Sequence, residues 1–387
     1  MRRIKVVLSG IVAGMAIGSV LVTGMPCQAE RFGMVTVQNE KPRIDQDGKI
    51  IDAHDGCLQF FAGRYYLYGT AYGKTAGYAI NNRFRVYSSV DLEHWTFEGE
   101  LLKEPLDGVY YRPYVAYNAR TRKYVLWYNW YEKLWDGKVG VATSDSPTGP
   151  FTIANTSVLL SQEKDYPGDG SLFVDDDGTA FFIYTTIGQN HSIRIEKLTA
   201  DYLSTAGEVS DSLGVECEAP AMFRRKNLYY AVFDRTCCFC RNGSGARVLV
   251  ATSPLGPYKE IGNINRTDTG KPIISAQQTY VARIPTSHGT DYVWMGDLWK
   301  SRTDGVKGHD LQYWSAPLQF NPDGSIVVLA PTSVWKERIE IGKRRRGNLT
   351  KRYEWPQKHD PQTLRTDACY QTPLNEDGEP VSGAGPR

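Results

Sequence analysis

The sequence has almost no net charge: 45 Lys and Arg stand against 43 Asp and Glu, a formal +2 over 387 residues. Without a basic excess nothing holds nucleic acid by phosphate neutralisation, and that class of partner is excluded. Histidine is scarce too. The chain has six, none at i,i+4 with a Glu between, so a catalytic zinc site of that type has no basis. Cys237-Cys238-Phe239-Cys240 has no second CxxC or HxxxH segment to complete a tetrahedral zinc site, which leaves local disulfide cross-linking of a loop as the better reading.

What is abundant is aromatic. Phe, Trp and Tyr make up 12% of the chain, with 24 Tyr and 9 Trp beside 37 Gly and 20 Pro. That mixture favours short strands and tight turns over long helices, and the expected class is all-β.

The N-terminus follows signal-peptide grammar. Arg2, Arg3 and Lys5 precede the uncharged run from Val6 to Val22, and Cys27-Gln28-Ala29 offers a small-x-small exit before Glu30. A retained anchor is the alternative, but Gly and Ser dilute the run at the lower edge of spanning length. Gly24-Met25-Pro26 is a poor lead-in for lipid attachment at Cys27. Residues 1–29 are therefore expected to be removed and the protein secreted or periplasmic, with no stable membrane insertion. The mature chain then carries a formal −1 and six cysteines, Cys57, Cys217, Cys237, Cys238, Cys240 and Cys369, for which disulfides are the default of an exported chain.

An internal repeat sets the architecture. Val141-Ala142-Thr143-Ser144-Asp145-Ser146-Pro147-Thr148-Gly149-Pro150-Phe151 returns as Val250-Ala251-Thr252-Ser253-Pro254-Leu255-Gly256-Pro257-Tyr258, with looser versions at Val86–Trp95 and Tyr313–Leu318. Ahead of each lies a pair of short aromatic strands, and a further pair flanks Asp175-Asp176-Asp177-Gly178. With Tyr66, Tyr124, Phe182, Tyr230 and Tyr292 as markers, the steps are 58, 58, 48 and 62 residues. Five units of about four strands predict a five-bladed β-propeller over residues 40–340. The marker aromatics and Trp95 are then packing residues, since a lone blade cannot bury both faces. Residues 343–387, basic at Lys343-Arg344-Arg345-Arg346 and polar beyond, form a C-terminal extension to which no function is assigned.

In a propeller the first strand of each blade lines the channel, so an acid at its start points toward the axis. Asp55 in Ile51-Asp52-Ala53-His54-Asp55-Gly56, Asp169 in Pro167-Gly168-Asp169-Gly170-Ser171-Leu172-Phe173, and Glu218 in Glu216-Cys217-Glu218-Ala219-Pro220 meet that condition from three blades. On these motifs the chain resembles glycoside hydrolase family 43, five-bladed propellers that cleave glycosidic bonds with inversion. The resemblance covers residues 40–340 and implies Asp55 as general base, Asp169 as pKa modulator and substrate orienter, and Glu218 as general acid.

The roles are chemically coherent. Inversion needs a protonated acid at the leaving oxygen and a carboxylate holding water on the opposite face, and a third carboxylate raises the acid's pKa. Glu216 competes for the acid role because residues two apart share a strand face, but Ala219-Pro220 starts the strand in the register of the other blades.

Tyr110-Tyr111-Arg112-Pro113, Ser275-Ala276-Gln277-Gln278-Thr279 and Met295-Gly296-Asp297-Leu298-Trp299 look most like the exo-β-1,3-galactanase branch. That branch carries Gly where this chain has Asp55 and a carboxylate where it has Tyr111, and is thought to use a Gln as base. The scaffold is thus galactanase-like with the acid pattern of arabinofuranosidases and xylosidases, and the sugar stays open.

Other expected site residues are His54, beside the base; Arg112, for a hydroxyl or an acid; and Gln277, for sugar or water. Tyr72, Trp130 and Trp299 are candidates to stack on sugar rings, with packing as the alternative for each. The family resemblance also implies that an axial calcium, reached through water, is available to His309, although no cofactor is required. The expected partner is an oligosaccharide or polysaccharide and the expected state a monomer. Two other readings compete: a carbohydrate-binding propeller without catalysis, and a fructosidase suggested by Glu216-Cys217 but lacking the Asn-Asp-Pro and Arg-Asp-Pro partners.

Overall fold

The computed structural model describes residues 31–342 except 78, 81, 133–136, 162–165 and 238. The signal-peptide span 1–29, the extension 343–387, Cys238 and Cys369 lie outside the described residues. No helix among the described residues is long and apolar enough to cross a membrane.

Strand β1 (Phe32–Gln38) is followed by four successive four-stranded antiparallel sheets. Blade one is β2 (His54–Phe61), β3 (Arg64–Ala71), β4 (Arg83–Ser89) and β5 (Trp95–Glu100). Blade two is β6 (Val109–Asn118), β7 (Lys123–Tyr131), β8 (Lys138–Ser144) and β9 (Thr152–Asn155). Blade three comprises β10 (Pro167–Val174), β11 (Ala180–Thr186), β12 (Ser192–Leu198) and β13 (Thr205–Val209). In blade four these are β14 (Cys217–Arg225), β15 (Leu228–Arg235), β16 (Arg247–Ala251) and β17 (Lys259–Asn263). The fifth sheet departs from the expected four strands. It holds β18 (Gln277–Thr286), β19 (Gly289–Leu298) and β20 (Leu311–Trp314), extended beside β18 by β21 (Val334–Glu340) and β1.

The first strands β2, β6, β10, β14 and β18 contact one another in cyclic order, which makes the ring a five-bladed propeller. Closure comes from the ends of the described chain. β1 pairs β21 from Phe32↔Glu340 to Gln38↔Val334, and the ribbon touches β18 through Thr286↔Ile339. Blade one holds its other side, with Tyr65 Oη donating to the Glu340 carbonyl at 2.9 Å.

The repeat aromatics pack where the blades meet. Trp127 of blade two lies 4.8 Å from Phe182 of blade three, Phe223 of blade four lies 4.8 Å from Tyr292 of blade five, and Trp95 meets Trp314 across the closure. Trp95 is 2% exposed and donates its indole N–H to the Leu92 carbonyl at 2.9 Å, locking its own turn. Each such side chain contributes about 2–3 kcal/mol by burial and about 1 kcal/mol more by ring geometry, so the aromatic excess is mostly inter-blade core.

Cys237 and Cys240 form a disulfide. Cys57 and Cys217 do not follow the expected default and are buried free thiols. Each sits on an inner strand with a residue other than cysteine opposite it, Tyr68 and Arg235, and burial pushes their thiols up, to about 12 and about 11.

Candidate active site

All five inner strands are irregular at the same end. The ladder slips between His54 and Cys57, Tyr111 and Tyr114, Pro167 and Gly170, Glu218 and Ala221, and Gln278 and Tyr280. A bulge re-aims the side chain it carries. Here the bulged stretches hold Asp55, Arg112, Asp169 and Ala219, directly after Glu218. Asp55, Arg112 and Ala219 adopt φ of 58°, 58° and 54°, a strained region for residues with a Cβ. The residue after Asp55 has to be Gly56, because a Cβ there would run into the Tyr68 carbonyl. Repeated bulges thus turn one position per blade into the mouth.

Asp55 is 4% exposed. Its backbone N–H donates to Asp297 Oδ2 at 2.9 Å, and Tyr72 Oη donates to its Oδ2. Burial raises its pKa to about 6; Asp297 and Asp169 push the same way, against Arg112 and Tyr72. Arg112 lies between two acids. Its Nη2 donates to Asp169 Oδ2 at 2.9 Å, and burial, which disfavours its charge, is outweighed by Asp169, Tyr114 and Asp55. Asp169 also accepts the Ala219 N–H at 3.2 Å, and its pKa is raised by burial and by Glu218, with Arg112 opposing. Asp55, Arg112, Asp169 and Glu218 are therefore one electrostatic unit across blades one to four.

Glu218 is 9% exposed, whereas Glu216 lies in the exposed segment before β14. Glu218 Oε2 accepts the Cys237 N–H at 3.0 Å, and His191 Nδ1 lies 3.4 Å from Oε1. The disulfide loop thus supports the acid by its backbone, and its Phe239 ring stands edge-on to Tyr72 and Trp299 at 5.4 and 4.9 Å.

His54 is fully buried with acceptors at both ring nitrogens, Asp297 Oδ1 at 3.0 Å from Nδ1 and the Gly308 carbonyl at 3.2 Å from Nε2. Two acceptors require two donors, the imidazolium form. Burial opposes that charge, but Asp297, Asp52 and Asp55 hold the pKa at about 9. His54 therefore builds the wall behind the base. Gln277 Oε1 accepts the Trp299 indole N–H at 2.6 Å, which orients its amide.

Other expected residues are differently employed. The Tyr72 and Trp299 rings are 3% and 2% exposed, with the Lys307 ammonium over both. Trp130 stacks on Tyr110 at 5.8 Å and donates to the Thr156 carbonyl at 2.7 Å, in the packing within blade two. His309 lies in the 3-10 turn Lys307–His309, partly exposed, with Nδ1 2.6 Å from Asp304. Among the described residues the group with ligand spacing is His288, Asp291 and Glu337, at the opposite end of β18 and β19.

The sequence reading passed over Asp297, Asp52, His191, Lys307 and Phe239. A signal existed for Asp297: an antiparallel second strand returns to the same mouth, so its end faces the start of the first, as the pairing Gln277↔Asp297 does. Asp52 accepts the Tyr72 and Gly73 N–H groups at 2.8 Å each, fixing the loop that carries Tyr72.

Comparison with known proteins bears directly on this mouth. An arabinoxylan arabinofuranohydrolase of Bacillus subtilis (strain 168) is 26% identical over 280 residues, 57% of this chain and 52% of that protein. A β-D-galactofuranosidase of Aspergillus niger is 26% identical over 222 residues, 52% of this chain and 61% of that protein. The chain thus spans about half the length of the first relative and under two thirds of the second. Among solved structures, a β-1,3-galactosidase, BT3683, bound to galactodeoxynojirimycin matches with a TM-score of 0.66 and 25% identity over 77% of this chain and 99% of that one. An exo-β-1,3-galactanase from Clostridium thermocellum shares the fold, with a TM-score of 0.67 and 24% identity over 79% of this chain and 67% of that one. The profile described as glycosyl hydrolases family 43 matches residues 52–326, a span holding all three acids and every first strand of the ring, and the chain belongs to that family.

Proposed function

We propose that this protein is an exported, inverting glycoside hydrolase that removes terminal arabinofuranosyl, xylosyl or galactosyl residues from an oligosaccharide or polysaccharide. Asp55 acts as general base, Asp169 as pKa modulator and Glu218 as general acid. The observation that carries the reading is the linked set Asp55, Arg112, Asp169 and Glu218: three acids from three blades, Asp55 and Glu218 buried and Asp169 half-buried, with one buried guanidinium between two of them.

Asp55 takes a proton from water, and its raised pKa makes it a stronger base than a free carboxylate while it stays ionised near neutrality. Asp169 places negative charge beside Glu218, which favours the protonated form that donates to the leaving oxygen. Arg112 keeps two neighbouring carboxylates from repelling each other out of the mouth. Gln277 suits sugar binding better than the base role, because its carbonyl is already engaged by Trp299. Named relatives act on arabinofuranosyl and galactosyl linkages, which supports those sugars as the first to try.

The test is hydrolysis of aryl arabinofuranoside, xyloside and galactoside substrates by wild type, Asp55→Asn and Glu218→Gln, with the product anomer followed by NMR. Loss of about 10²–10⁴-fold in each variant is expected of a general acid and base, together with a product inverted at the anomeric carbon. Full activity in Glu218→Gln sinks the acid assignment. A wild type that binds glycans but cleaves none across a broad panel makes the protein a carbohydrate-binding propeller instead.

A further inference from the structure

Lys307 is buried at the active-site mouth, 3% exposed, on the turn ahead of β20. Its ammonium lies 3.5 Å from the ring centroid of Phe239, 3.8 Å from Trp299 and 5.0 Å from Tyr72. The backbone that carries it is clamped to blade one. The Gly308 N–H donates to the Gly73 carbonyl at 2.9 Å, its carbonyl faces His54 Nε2, and a Cβ at Gly308 would collide with the Asp52 carboxylate. The lysine is held in place by a turn that has no room to shift.

Three aromatic faces stabilise a cation but accept no directional hydrogen bond. Among the described residues, no carboxylate, carbonyl or hydroxyl comes within hydrogen-bonding or ion-pairing distance of the Lys307 Nζ. Asp55 acts on it through space, and burial lowers its pKa to about 7. An ammonium kept from water with its N–H groups unused is half of a binding site. The missing half is an acceptor that enters the mouth, and the charges there select its kind. Asp55, Asp310 and Asp297 act on Lys307 through space against Arg302 alone, so an acidic sugar meets repulsion there and a neutral hydroxyl does not.

We propose that Lys307 is a substrate-binding residue whose caged ammonium donates a hydrogen bond to one hydroxyl of a neutral sugar held beside Asp55, and so makes that hydroxyl a condition of cleavage. The proposal rests on the glycosidase reading, because it needs a sugar in that mouth. It goes beyond the family match, which assigns nothing to this lysine.

The test uses a series of singly deoxygenated aryl glycosides of whichever sugar the wild type cleaves, comparing kcat/KM for parent and deoxy substrates in wild type and Lys307→Met. Met fills the cage without the charge. Wild type should discriminate against one deoxy isomer by about 10- to 100-fold, the scale of losing one hydrogen bond to a charged group. In Lys307→Met that one ratio should collapse toward unity while the ratios for the other positions persist.

A uniform loss over the series, with every ratio intact, shows a structural lysine and overturns the proposal. So does a wild type that prefers the uronide of the same sugar. If Lys307→Met does not fold, as judged by its melting curve, Phe239→Leu opens one wall of the cage from the disulfide loop and should weaken the same single ratio; an unchanged ratio overturns the proposal. A wild type active on parent glycosides with unaltered ratios in the variants removes this inference alone. Inactivity on every parent removes the glycosidase reading and this inference with it.

Discussion

Asp297 holds Asp55 by its backbone, not its side chain: one carboxylate oxygen of Asp297 accepts the Asp55 N–H at 2.9 Å while the other accepts from His54 Nδ1 at 3.0 Å. Both partners are donors, and only a carboxylate can accept from both. Asp297→Asn turns an amide NH₂ against one of them and frees the strained φ of Asp55 to relax. The expected result is a kcat lower by about 100-fold, the scale of misplacing a reacting group by about 1 Å, with a smaller change in KM. A variant with wild-type kcat removes Asp297 from the positioning of the base.

The acid limb of the pH profile reports Asp55. A general base must be ionised, so kcat/KM should rise with pH up to about 6, where burial places this carboxyl, and level off above it. Tyr72 donates to the Asp55 carboxylate and favours its charged form. Tyr72→Phe should therefore move the limb to higher pH as well as slow the reaction. A limb that stays in place while kcat falls assigns Tyr72 to packing alone.

Much of this was legible in the sequence because it is periodic. The spacing of Tyr66, Tyr124, Phe182, Tyr230 and Tyr292 marked five second strands, and each is paired to its first strand as expected. Asp55, Asp169 and Glu218 stood 11, 13 and 12 residues ahead of Tyr66, Phe182 and Tyr230. What was not legible is what crosses blades. Lys307 belongs to a turn outside the repeat and reaches the mouth only because Gly308 fits against Asp52. Trp130 looked like Trp299 in sequence, and only register decides that one packs within its own blade and the other stands against His54 at the mouth. The β1–β21 ribbon pairs residues some 300 positions apart by a short alternating pattern that no local signal distinguishes from an edge strand.

His54 ties stability to pH. Its proton is held more tightly in the folded state, at about 9, than in the unfolded chain at 6.5. The stabilisation is therefore complete below pH 6.5 and is lost as pH rises through 9, by an amount on the order of 3 kcal/mol if all of the shift is expressed. Urea unfolding of wild type at pH 6 and pH 9.5 should show that decline, and His54→Gln should flatten it while lowering stability at pH 6. An equal slope in the variant would assign the pH dependence to other groups.

The Cys237–Cys240 disulfide should matter more to rate than to stability. It closes a loop of sequence separation 3, and the constraint a cross-link places on the unfolded chain grows with loop length, so little global stability is at stake. Locally the loop performs two tasks at once: the Cys237 N–H supports Glu218, and Phe239 walls the space above Tyr72 and Trp299. In Cys237→Ser/Cys240→Ser the N–H remains but is no longer held by the bridge. We expect a fall of about 10-fold in kcat, below the 10²–10³-fold of deleting a donor outright, with Tm within a few degrees of wild type. The deficit should be greatest for substrates with poor leaving groups, which depend most on protonation by Glu218, and smallest for dinitrophenyl glycosides. A loss independent of the leaving group would place the loop's role in binding, through Phe239, and not in the support of the acid.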